Sequence, residues 1–202
     1  GIGTVLQDDP QLSVRAVETP RQPRRVIVDR HAQTPHTARV LRSDPTHDVQ
    51  TPHAEMIQQG RSTRHAPVPA AAGNLQADPV WIFTADPPQA PFPPHVEAIS
   101  LPDASGKVDL SAMLDELGRR RINELHVEAG AKLAGTLIAQ ELVDELLLYF
   151  APCLLGDTAR GMFGLPALAG LDARIPLEIR DCVRFGDDWR VIARIKSGSD
   201  HV

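Results

Sequence analysis

The 202-residue sequence predicts an α/β fold built on a mixed sheet. Three observations carry that expectation. Short β-branched apolar runs, RVIVD at residues 25–29 and VWIFT at 80–84, suit fully buried strands. Two segments with helical apolar spacing alternate with later strand-like runs, which implies parallel crossovers. Residues 177–184 and 189–195 flank Gly186-Asp187-Asp188, a hairpin signal that adds an antiparallel edge.

In chain order, residues 1–5 carry two glycines among β-branched residues and read as a short strand end. Asp8-Asp9-Pro10 then turns the chain. The strands at 25–29 and 80–84 follow, with a weaker third at 96–101. Between the first two lies 42–77, rich in Pro, His, Gln and Ala and without periodicity. It offers too little apolar surface to offset its ordering entropy, so it is expected to be a surface insertion. A helix is predicted from Asp109, its N-cap, with Leu110, Met113, Leu114 and Leu117 on one face. Arg119, Arg120 and Arg121 suit its C-terminal end. Residues 124–128 (ELHVE) read as a strand, 132–141 as a second helix and 145–151 (ELLLYFA) as a buried strand.

Composition narrows the function. Hydrophobic residues make up 42% of the chain, as in a globular protein. No apolar run is long enough to span a membrane, and residues 1–15 lack the form of a secretory signal. Acidic residues outnumber basic ones, 26 to 21, which argues against a nucleic-acid binder. Cys153 and Cys182 fit no metal spacing and are too few for a disulfide scaffold, so a reducing cytosol is the expected compartment. His36, His47, His53 and His65 match no common ligand pattern, and no metal is expected. The first residue is Gly1 and the first methionine Met56, so the chain is expected to begin inside something larger.

The most informative local feature is the turn Glu128-Ala129-Gly130-Ala131-Lys132-Leu133-Ala134-Gly135 between strand and helix. Small residues let a ligand approach the backbone, and a helix start offers unpaired N–H groups and a positive dipole end. Together they suit a phosphate or pyrophosphate. The plainer alternative is that Gly130 makes a tight turn and Gly135 lets the helix pack closely. The G-x-G-x-x-G dinucleotide fingerprint is absent. Glu128, at the carboxyl end of its strand, can accept hydrogen bonds from sugar hydroxyls or can be a solvated strand-end residue. In residues 4–15, the paired Asp8 and Asp9 before Pro10 suit a turn, and Arg15 is either a phosphate grip or a surface charge. No Ser-His-Asp, nucleophile-elbow or P-loop pattern is present.

The segments GIGTVLQDDPQLSVR, RRVIVDR and HVEAGAKLAGTLIAQELVDELLLYFAPCLLG, in this order, resemble the reductase domain of bifunctional riboflavin-biosynthesis enzymes. The resemblance covers most of the chain outside 42–77 and implies one reductase domain over 1–202. It implies a dihydrofolate-reductase-like fold, with a central, mostly parallel twisted sheet, flanking helices and a C-terminal antiparallel hairpin. The implied activity is NADPH-dependent reduction of 5-amino-6-(5-phosphoribosylamino)uracil to the ribitylamino compound. By the same resemblance Thr4 and Asp8 touch the cofactor, with Asp8 as candidate proton relay. Leu12, Arg15 and Glu128 belong to the substrate site, with Arg15 on the ribose phosphate. Gly130, Ala131, Lys132, Leu133, Ala134, Gly135 and Thr136 wrap the cofactor pyrophosphate. Arg30 stands where relatives often have a small hydroxyl residue and is expected to pair with the cofactor 2′-phosphate. A cytoplasmic homodimer is implied. The family's domain starts earlier, with a further strand and helix, and a zinc deaminase domain precedes it, whose P-C-x-x-C with a matching H-x-E is not in this sequence. The competing expectations are a related pterin or pyrimidine reductase of the same fold, and a truncated, non-catalytic oligomerisation domain.

Overall fold

Ile2 and Val5 lie about one helical turn apart, and the chain uses them that way. In the computed structural model, which describes residues 1–19, 21–42 and 79–196, Ile2–Asp8 form helix α1 in place of the expected strand end. Val5 is buried in an apolar cluster with Ile27, Val40, Leu41, Val80 and Ile82, and Ile2 and Leu12 pack against it. Burying one face of a short helix outweighs the strand preference of its β-branched residues, a weak local bias. The helix stops where Asp9 takes a φ of 42° and donates its N–H to Val5 O at 3.2 Å. Pro10 follows and cannot continue it.

The chain divides into two compact units, Ile2–Asp109 and Leu110–Val202, the latter together with Gly1. The N-terminal unit holds β1 (Arg25–Val28), β2 (Val80–Thr84) and β3 (Val96–Ser100), all parallel in the order β1-β2-β3. Every residue of β2 is buried, as expected of a parallel strand covered on both faces. A 3-10 turn at Arg39–Leu41 delivers Val40 and Leu41 to the core. Buried Arg25 donates Nη1 to the carbonyls of Val40 and Arg42, both at 2.8 Å. Apart from Arg42, the insertion expected at 42–77 lies outside the described residues.

The C-terminal unit opens with α2 (Leu110–Arg119), which buries Leu110, Met113 and Leu117 as the spacing predicts. Helix α3 (Ala131–Ala139) buries Gly135, Leu137 and Ile138. Strands β4 (Leu146–Phe150), β5 (Leu177–Phe185) and β6 (Asp188–Ile195) form an antiparallel sheet in the order β4-β6-β5. The β5–β6 hairpin turns at Gly186, whose φ of 64° suits glycine. Between Ile179 and Asp181 the register shifts, leaving Arg180 as an extra residue in β5.

The fold is mixed α/β, and among the described residues it carries two three-stranded sheets, one per unit. The strand expected at 124–128 is corrected: this segment joins no ladder. Its alternating pattern is real, but Val127 is 44% exposed and no neighbouring strand pairs with it. No described helix is long and apolar enough to cross a membrane.

Candidate functional site

The carboxyl ends of β1 and β2 meet through backbone bonds. Arg30 O accepts from the N–H groups of Ala85 and Asp86, both at 2.9 Å. Asp29, 1% exposed, accepts from Thr34 N at 2.6 Å and Thr34 Oγ1 at 2.7 Å, which folds residues 29–34 into a tight turn. Its other oxygen, Oδ1, is buried without a partner. His31 Nδ1 lies 2.6 Å from Asp86 Oδ2; a carboxylate only accepts, so the imidazole donates there. Both residues, with Gln33, Thr34, His36 and Gln89, line an open cavity of about 620 Å³. Beyond the carboxyl ends of parallel strands is where open α/β sheets take ligands. His36 lies against Phe92 with ring centroids 5.0 Å apart and planes tilted by 37°; His47, His53 and His65 lie outside the described residues.

Arg30 is exposed but does not line that cavity. Its Nη2 lies 3.4 Å from where a Cβ on Gly106 would stand, in the turn after β3. Asp103, in the same turn, has its carboxyl held below the usual carboxylate value. The Lys107 N–H contributes most, followed by the Ser105 hydroxyl.

In residues 4–15, Thr4 is half-buried on α1, and Asp8 is exposed at its end. Asp9, not Asp8, is the carboxylate tied into the fold: its Oδ1 accepts from Arg39 N at 2.8 Å. Leu12 has a φ of 51° and packs against the core, so its side chain is a wall, not a free contact. Arg15 is exposed, and Nη1 donates to Gln11 Oε1 at 2.9 Å. The next residue back is clamped: Gln22 Oε1 accepts from Val14 N at 2.8 Å, and Gln22 Nε2 donates to Val14 O at 3.0 Å. The clamp was invisible in the sequence, where a glutamine eight residues downstream carries no signal.

In the C-terminal unit, Glu128 is exposed, with Oε1 3.5 Å from His126 Nε2. Gly130 is the N-cap of α3 in extended backbone, and no side chain caps the helix. A Cβ on Gly130 would meet nothing within 4 Å, so the protein leaves space in front of this helix start. Lys132 and Thr136 are exposed, and Thr136 Oγ1 turns inward to donate to Lys132 O at 2.8 Å. Leu133 and Ala134 are half-buried, and Ala134 N donates to Gly130 O at 3.2 Å. Gly135 differs: it is buried, and its missing side chain is filled by the backbone of Gly164. The open turn thus suits a ligand, whereas the close approach at Gly135 serves the chain itself.

A Haemophilus influenzae protein named riboflavin biosynthesis protein RibD is 37% identical over 202 residues, covering 93% of this chain and 44% of its own. A Buchnera aphidicola protein named 5-amino-6-(5-phosphoribosylamino)uracil reductase is 25% identical over 94% of this chain and 81% of its own. The chain therefore spans less than half of the RibD protein it matches and most of the Buchnera reductase. Among solved structures, Acinetobacter baumannii RibD in form 1 superposes with a TM-score of 0.68 at 24% identity, over 97% of this chain and 45% of that one; it speaks for the fold. The family described as RibD C-terminal domain matches residues 1–191, and this chain belongs to it.

Proposed function

We propose that this chain catalyses the NADPH-dependent reduction of 5-amino-6-(5-phosphoribosylamino)uracil to the ribitylamino compound, as a single reductase domain over residues 1–202. The observation that carries the reading is the uncapped start of α3 behind Gly130, with open space before it, inside a chain whose family match runs over 1–191. The Buchnera relative's name supports the choice of substrate.

The residues present fit the cofactor. The first-turn N–H groups of α3, from Ala131, Lys132 and Leu133, have the positive field a pyrophosphate needs, and Gly130 keeps the approach open. Exposed Lys132 and Thr136 are assigned further contacts with the pyrophosphate. Arg30, exposed at the end of β1, is assigned the 2′-phosphate, and Thr4 a contact on the nicotinamide side. Bound NADPH supplies the hydride.

The rest falls to the chain's own side chains. Arg15 holds the ribose phosphate with its fork of donors, on a loop that the Gln22 clamp keeps in place. Leu12 forms the apolar wall behind the substrate, and Glu128 accepts from its hydroxyls. Fixing the sugar in this way turns the step effectively unimolecular. Asp8, free of the bond that occupies Asp9, moves the proton that imine reduction requires.

The test is a reduction assay on the phosphorylated pyrimidine with NADPH, comparing wild type with Arg15→Ala and Arg15→Lys. The alanine variant is expected to raise KM for the pyrimidine about ten- to a hundredfold, because a hydrogen bond to a charged group contributes about 1.5–3 kcal/mol. Lysine keeps the charge without the fork and should do less damage. NADPH affinity should hold. Loss of NADPH binding with normal pyrimidine binding would reverse the roles; no reduction by wild type overturns the reading.

A further inference from the structure

Helix α3 has no side-chain cap, and an uncapped first turn frays unless something else braces it. The brace is a segment far along the chain. Gly164 donates its N–H to Ala131 O at 2.8 Å, on the first residue of the helix. The same glycine lies so close to Gly135 that a Cβ there would stand 2.6 Å from Gly164 O and 2.8 Å from Gly164 N. In the other direction, a Cβ on Gly164 would stand 3.2 Å from Ala131 O and 3.5 Å from Lys132 Cα. Two glycines in face-to-face contact thus let a backbone strap cross the first turn of α3. Elsewhere in this stretch large apolar side chains face solvent: Leu154 is 100% exposed, Leu155 76% and Leu171 80%.

We propose that Gly135 and Gly164 are positioning residues for the phosphate-binding start of α3. The strap through Gly164 holds the first turn in the geometry the pyrophosphate needs, and neither glycine touches the ligand. The inference rests on the functional reading above and deepens it, because it moves Gly135 from the cofactor contacts to the support behind them.

Alanine separates this role from a general one in helix stability. Gly135→Ala improves intrinsic helix propensity by about 1 kcal/mol, so a residue that mattered only to the helix would gain from it. If the strap matters, the same change must displace Gly164, since the nearest atoms are backbone and cannot rotate away. Gly164→Ala is the milder variant, as its contacts begin at 3.2 Å.

The experiment uses the full chain and measures NADPH dissociation constants, steady-state kinetics and far-ultraviolet circular dichroism. Gly135→Ala should weaken NADPH about tenfold, in line with the strength of a helix-end phosphate interaction. It should raise KM for NADPH by a similar factor, more than it lowers kcat, and keep the helical circular dichroism. Gly164→Ala should shift the same readouts in the same direction by less. NADPH binding at wild-type strength in both variants overturns the inference while leaving the function standing. Wild-type protein that binds no NADPH overturns both. A Gly135→Ala protein that fails to fold passes the decision to Gly164→Ala, for which unchanged NADPH affinity counts against the proposal.

Discussion

Strands β2 and β6 are each the middle strand of a three-stranded sheet, yet they live in different surroundings. All five residues of β2 are buried, whereas Ala193 is the one buried residue of β6. A central place in the ladder satisfies backbone donors and acceptors in both. It does not decide what covers the two faces. The parallel β2 carries apolar side chains on both faces, VWIFT, and buries them all; β6 alternates Trp, Val and Ala with Arg and Ile, as an antiparallel strand with a wetter face does. Stability in this chain should therefore be concentrated around β2.

The sharpest way to break that comparison is to truncate a large side chain in each strand. Phe83→Ala should cost about 3–5 kcal/mol, because it opens a cavity at a 0% exposed site. Trp189→Ala, at a residue 49% exposed, should cost about 1 kcal/mol or less despite the larger side chain. Urea unfolding of both variants measures the two values. Equal costs would mean that β6 is packed as tightly as β2.

Polar groups offer a smaller version of the same test. Thr34→Val keeps the shape but removes the Oγ1 donor from buried Asp29, whose other oxygen already has no partner. A destabilisation of about 1–3 kcal/mol is expected. In the C-terminal unit, the Arg190–Asp181 pair spans 2.8 Å with side chains 31% and 40% exposed. Asp181→Asn should cost about 0–1 kcal/mol, and added salt should shrink the difference further. Denaturant midpoints with unchanged slopes would place the two effects in this order; the reverse order would contradict the burial contrast.

What the sequence revealed follows the same divide between local and distant causes. VWIFT, the Leu110, Met113 and Leu117 spacing, and the glycine of the β5–β6 turn announce themselves because each is decided within a few residues. The α1 segment was misread because β-branched residues and glycines outweigh, on paper, the two apolar side chains that the core selects. Residues 124–128 were misread because alternation says nothing about whether a partner strand is alongside. In the candidate site, the open turn at Gly130 was legible from its small residues before a helix start, although the strand expected in front of it does not form. The His31–Asp86 pair was not, since 55 residues separate its members. Neither was the Gly135–Gly164 contact, because a glycine in a helix does not say which backbone approaches it.

The extra residue in β5 has a consequence of its own. Ile179 lies opposite Ala193, but Asp181 lies opposite Ile192, so the inward-outward alternation changes phase at Arg180. Leu177 and Ile179 consequently share a side of the sheet with Trp189, while Val183 and Phe185 share the other with Arg190, where Phe185 meets Tyr149 edge-on. A single strand thus serves two surfaces in succession. Deleting Arg180 would therefore remove the bulge without turning over either half of the strand, because Ile179 and Asp181 already face the consecutive residues Ala193 and Ile192.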